Sequence, residues 1–201
     1  MGSILALKVE TMETIIHMQP VIEIDDERFY ALCQLNRDVR LERNQEGNVI
    51  IMPPTGGDTG RRNAEIIVQL GMWARQDETG TIFDSSTGFR LPNNAVRSPD
   101  AAWVENARLD LLSDEERRTF VPLCPEFLLE LRSESDDLGT LKEKMREYID
   151  NGTRLAWLID PLERKVSIYR SGLPVEVLEN PKYISGDPIL SGFTLDLRTI
   201  W

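Results

Sequence analysis

The stretch Pro125-Glu126-Phe127-Leu128-Leu129-Glu130-Leu131-Arg132-Ser133, with the segment Leu138 to Pro161 behind it, decides how this chain is read. Residues 125–132 have the length and apolar density of a strand, and side chains alternate between the two faces of a strand. Phe127, Leu129 and Leu131 therefore share one face, and Glu126, Leu128, Glu130 and Arg132 the other. Leu138, Leu141, Met145, Tyr148 and Ile149 recur at helical spacing, which predicts a helix over 138–149, closed by Asn151-Gly152. Arg154 to Asp160 is again a strand with an apolar centre, stopped by Pro161.

Working outward, Val96 to Glu105 reads as one strand beginning near Ser98, with Pro99 at its first residues, where a missing ladder donor is tolerated. Alternation there puts Asp100, Ala102 and Val104 on one face and Ala101 and Trp103 on the other. Upstream, Asp25 or Asp26 is a good N-cap for a helix carrying Phe29, Leu32, Cys33 and Leu35 and ending at Asn36. Val39 to Arg43 and Val49 to Met52 suit a hairpin, and Ile66, Ile67, Leu70, Trp73 and Ala74 mark a long helix over 58–76. Short strands are expected at 80–84, 88–91, 165–170, 175–178 and 193–197, with a short polar helix over 112–118. This mixed order is α/β or α+β, with helices packed around a twisted sheet. Residues 21–201 read as a single domain, and residues 1–20 as a flexible N-terminal tail with at most one weak strand.

The chain has 201 residues, 41% hydrophobic and 28% charged, enough apolar surface for one real core. A net charge of −11 repels polyanions at long range, so nucleic acid would have to be met through a local basic site or a metal ion. One histidine, His17, and two cysteines, Cys33 and Cys124, cannot build a four-ligand zinc site, and a serine- or cysteine-nucleophile enzyme would depend on His17 alone. The cysteines read as buried free thiols of a cytoplasmic protein, and no apolar run approaches the ~20 residues that span a bilayer.

Chemistry is left to the carboxylates. An aspartate sharing a face with Ala102 and Val104 is out of place on a plain core strand. If the strands of Asp100 and Glu130 are neighbours at ~4.8 Å, the two carboxylates meet on one surface. At ~4 Å they repel by about 4 kcal/mol in a medium of dielectric near 20, so they need a proton, a cation or a cationic side chain. A hard divalent ion such as Mg²⁺ takes oxygen ligands and keeps waters for chemistry. A lysine beside it can orient or deprotonate a water. The plainer alternative is a structural ion pair of Glu130 with Arg132 or Arg154, since charge pairs across strands are common. The glycine-rich run Thr55-Gly56-Gly57-Asp58-Thr59-Gly60 lacks the P-loop lysine and reads as a flexible helix start. Trp103 and Trp157 read as core, and the arginines at 37, 40, 43, 61 and 62 as solvated unless they line a groove.

Ser98-Pro99-Asp100, Pro125 through Ser133, Lys144-Met145-Arg146-Glu147-Tyr148 and Gly152 through Pro161 resemble the Uma-type restriction endonuclease family, a branch of the PD-(D/E)xK nuclease superfamily. The resemblance runs from about Ile24 to Trp201. It implies a restriction-endonuclease-like fold, a central mixed β-sheet flanked by helices, with Mg²⁺- or Mn²⁺-dependent cleavage of DNA. By position it makes Asp100 and Glu130 the metal ligands. Arg132 occupies the superfamily's lysine position, and an arginine that stays protonated is no base. The resemblance moves the lysine to the following helix, at Lys144. Helical geometry alone leaves Lys142 open, because the two lysines flank the apolar stripe at similar angles. Glu65, on the long helix, corresponds to an acidic residue that superfamily members often add, although its position suits a solvated surface.

The function expected is a metal-dependent endonuclease hydrolysing DNA phosphodiester bonds, with catalytic residues Asp100, Glu130 and Lys144 and a homodimer implied by family analogy. Two other classes compete: a non-catalytic interaction module that keeps the fold, and a metal-dependent phosphoesterase acting on nucleotides.

Overall fold

The computed structural model describes residues 13–201. It begins with β1 (Thr14–Ile16), α1 (Asp26–Leu35), the hairpin β2 (Arg40–Arg43) and β3 (Val49–Met52), α2 (Gly57–Asp77) and β4 (Gly80–Asp84). β5 (Phe89–Arg90), β6 (Val96–Arg97), β7 (Ala101–Glu105), α3 (Asn106–Leu109) and α4 (Asp114–Arg118) follow. The chain continues through β8 (Phe127–Leu131), α5 (Leu138–Asp150), β9 (Leu155–Asp160), β10 (Lys165–Arg170), β11 (Glu176–Glu179), β12 (Tyr183–Ser185) and β13 (Thr194–Asp196).

Local chemistry accounts for the ends of the helices. Asp25 accepts the Arg28 N–H at the start of α1, Asp137 that of Thr140 at the start of α5, and Ser113 and Glu116 close a capping box on α4. The main sheet has six strands in the order β11-β10-β9-β8-β7-β4, antiparallel except for β8 beside β9. A parallel pair needs a crossover, and α5 supplies it. Alternation on β7, β8 and β9 divides the core in two. Ala101, Trp103, Phe127, Leu129 and Trp157 pack with Ile66 and Leu70 of α2. Ala102, Val104, Leu128 and Leu158 pack with Met145 and Tyr148 of α5. Trp103 and Trp157 are core residues on the first of these faces.

A second sheet, β1-β3-β2-β6-β5, lies beside the first. The strand expected over 96–105 is therefore two strands in two sheets. The chain leaves the five-stranded sheet at Arg97, crosses Ser98-Pro99-Asp100 and joins the main sheet at Ala101. Pro99 has no N–H for either ladder, so the break falls there. α3 and β12 carry no strong pattern and were not expected. Residues 1–12 of the expected tail lie outside the described residues; Thr14–Ile16 pairs with β3. Both cysteines are free thiols, Cys124 buried as expected and Cys33, contrary to expectation, only half-buried.

Candidate active site

The strand break delivers Asp100 to the site. β7 and β8 pair antiparallel with Ala101 opposite Leu129, and one further step of that register sets Asp100 across from Glu130. Asp100 accepts the Leu131 N–H at 2.8 Å on Oδ2 and the Asn63 amide at 3.2 Å on Oδ1. Burial raises its pKa above the ordinary aspartate range, against the pull of the Leu131 N–H, Lys144 and Arg40.

Glu130 is 5% exposed and turns toward α5. Its Oε1 accepts the Tyr148 hydroxyl at 2.9 Å and lies 3.0 Å from Lys144 Nζ. Among the described residues its Oε2 accepts no hydrogen bond. Burial, opposed by Lys144 and reinforced by Asp100 and Glu42, pushes the Glu130 carboxyl up to about 7. Neither structural pairing considered for Glu130 occurs: Arg132 bonds Asp160 at 2.7 Å and Arg154 bonds Glu105 at 3.0 Å.

Lys144 joins this site to a second buried acid. Its Nζ lies 2.9 Å from Oε1 of Glu42, a residue 1% exposed on β2. Glu42 also accepts the Ser98 N–H at 2.9 Å and Arg97 at 3.0 Å, and Arg97 is held in turn by Glu147 at 2.7 Å. With two cations and an N–H around it, Glu42 is held down at about 2 despite its burial. The two carboxylates raise the Lys144 pKa over the cost of burial, so it stands as an ammonium ion. Lys142 is half-buried and makes no ion pair among the described residues.

The structure thus brings Asp100, Glu130 and Lys144 to one cavity of about 60 Å³. Glu65 does not line it; its carboxylate accepts from Gln69 on the same helix. α2 sends Asn63 to Asp100 instead. Sequence reading did not identify Glu42, Arg97, Tyr148 or Asn63 as site residues. The available signals were weak: Glu42 shares a β2 face with Arg40, and Tyr148 lies four residues after Lys144, one helical turn away.

The donor set fits one hard divalent ion. The carboxylates of Glu130, buried, and Asp100, half-buried, line the cavity together with Glu13 and Asp136, and among the described residues Asn63 Oδ1, on the amide that touches Asp100, is buried without a partner. Among the described residues no three His, Cys, Asp or Glu side chains are arranged to hold a metal, so water and main-chain oxygens would complete its shell. That is the ordinary condition of Mg²⁺, which binds through one or two carboxylates and retains waters.

A mixed sheet with acids at the mouth of adjacent strands and a lysine on the crossover helix is a restriction-endonuclease-like α/β fold. The chain belongs to the Uma2 family, described as "Putative restriction endonuclease", whose model matches residues 26–198. Among solved structures it is similar to a protein from Anabaena variabilis described as a putative nuclease belonging to DUF820. The two share 18% identity at a TM-score of 0.68, over 80% of this chain and 88% of that one. No curated protein matches the chain. Among the described residues no helix is long and apolar enough to cross a membrane.

Proposed function

We propose that this protein is a Mg²⁺- or Mn²⁺-dependent endonuclease that hydrolyses DNA phosphodiester bonds. The observation that carries the reading is the convergence of buried Glu130, half-buried Asp100 and the Lys144 ammonium, whose side chain is 9% exposed, on one cavity, in a member of a restriction endonuclease family. Asp100 and Glu130 are the residues that would hold the ion. When bound, such an ion polarises a phosphoryl oxygen and acidifies a water. Lys144, fixed as a cation between Glu42 and Glu130, is unsuited to act as a base near neutral pH; it orients the nucleophilic water and stabilises charge developing on phosphorus. Tyr148 fixes Glu130 so that Oε2 stays free for the ion. The net charge of −11 weakens non-specific binding, and a homodimer presenting two sites in the cytoplasm would raise useful affinity.

The test is incubation of purified protein with plasmid and single-stranded DNA, with and without Mg²⁺ or Mn²⁺, beside Asp100→Ala. Metal-dependent nicking that disappears in the variant is the expected result. Intact DNA together with no divalent binding in calorimetry would instead indicate a non-catalytic module. Turnover of mononucleotides alone would indicate a phosphoesterase.

A further inference from the structure

Of the arginines that could meet nucleic acid, four are accounted for elsewhere. Arg43 is buried against Asp26, Arg61 and Arg62 donate to the carbonyls of Thr199 and Ile200, and Arg37 donates to Gln34. Arg40 differs. It stands two residues before Glu42 on β2, on the same face, and lines the cavity of Asp100, Glu130 and Lys144.

Among the described residues Arg40 has no carboxylate partner, although the chain carries 34 acidic residues and buried Arg43 and Arg97 and half-buried Arg132 each have one. Among the described residues its Nε is buried without an acceptor, and the one hydrogen bond it makes to them runs from a terminal nitrogen to the Ser98 carbonyl at 3.5 Å, the limit of such a bond. A guanidinium offers five donors in a planar fork that matches two oxygens of a phosphate. Here the fork is held at the cavity with most of its capacity unspent. Thr55 and Thr59, at the start of the 21-residue α2, line the same cavity, so the positive end of that helix adds to the field there.

We propose that Arg40 is the phosphate-binding arm of this site, donating to non-bridging oxygens of the phosphodiester beside Lys144. The proposal rests on the nuclease reading, which names the substrate class, but its own observation is independent: an unsatisfied guanidinium aimed at a cavity lined by acids. The acids are then covered by a metal ion, and the arginine by the substrate anion.

The experiment compares wild type, Arg40→Gln and Arg40→Lys. Arg40→Gln is expected to lower kcat/KM for DNA by about 100-fold, the scale of a lost charge-assisted bidentate contact. Mn²⁺ affinity by calorimetry is expected to be unchanged or tighter, because a cation near Asp100 has been removed. The slope of log kcat/KM against log salt should shrink by about one unit, and Arg40→Lys should restore the slope but only part of the rate. Wild-type cleavage by Arg40→Gln, or loss of Mn²⁺ binding along with activity, overturns the proposal; the second outcome would make Arg40 structural. If wild type cleaves no DNA, the nuclease reading fails by itself and inorganic phosphate decides for Arg40. Broadening of the phosphorus-31 resonance by Mn²⁺-loaded wild type but not by Arg40→Gln supports the arm, and equal broadening by both refutes it.

Discussion

Two halves of one polar seam meet at Lys144 and differ in almost every respect. On the Glu42 side each charge has a partner: Ser98, Arg97 and Lys144 surround the carboxylate, and Glu147 holds Arg97 from behind. On the other side the Glu130 carboxyl has, among the described residues, one ammonium, which it shares with Glu42, and a neutral phenol. Burial is similar on both sides, so burial is not what separates a carboxyl at about 2 from one at about 7. The count of cations is. The satisfied half is a foundation that fixes the lysine, and the deficient half is where the proposed ion would bind.

The comparison can be broken by neutralising one acid at a time. Glu130→Gln should abolish metal-dependent cleavage, a loss of 10³-fold or more, while leaving the thermal midpoint unchanged or higher, because a poorly compensated buried charge is gone. Plasmid nicking and calorimetric unfolding of the same preparation check both halves of that expectation. Glu42→Gln should do the reverse in stability. It leaves Arg97 to Glu147 alone and Lys144 to Glu130 alone, and removing one partner of a buried ion pair costs about 3–5 kcal/mol. Urea unfolding with an unchanged m-value would read that loss. An equal effect of the two substitutions would end the distinction between the halves.

Acid sharpens it further. The folded pKa of Glu42 lies below the ordinary glutamate value of 4.5, so its contribution to stability is present above that pH and lost as pH falls toward 2. Glu130 has the opposite sign. In metal-free protein its contribution is fully present below 4.5 and lost as pH rises through about 7. Because an ion must displace that proton, Mn²⁺ affinity should fall by about tenfold per pH unit below 7 and level off above it. Calorimetric titration between pH 5.5 and 8.5 tests this, and a flat profile would remove Glu130 from the ligand set. The smallest effect belongs to Lys142→Ala. With no ion pair to lose, it should change stability by less than about 0.5 kcal/mol and activity by less than twofold.

Much of this architecture was legible. The alternation on 126–132 and 100–104 assigned each side chain to a face, and the two core clusters follow those assignments residue by residue. The carboxylates of Asp100 and Glu130 could be brought together on the assumption that their strands were neighbours, and β7 and β8 are. Helical angles could not separate Lys142 from Lys144, because both flank the apolar stripe; only the position of β2 beside α5 distinguishes them. The break at Pro99 was mistaken for a strand start, since a proline there is compatible with either, and the sheet that receives each half is a tertiary matter.

What the sequence determined by itself were periodicities: which residues alternate, which recur every helical turn, where caps and prolines end an element. These are local, set by backbone geometry and by atoms a few residues apart. What only the tertiary structure decided was the distribution of charge partners. Glu42 and Lys144 are separated by 102 positions, and Arg40 from β2 and Asp100 from the segment before β7 reach one cavity. A carboxylate's ionisation depends on the cations within a few ångströms of it, and no periodicity along the chain encodes that distance.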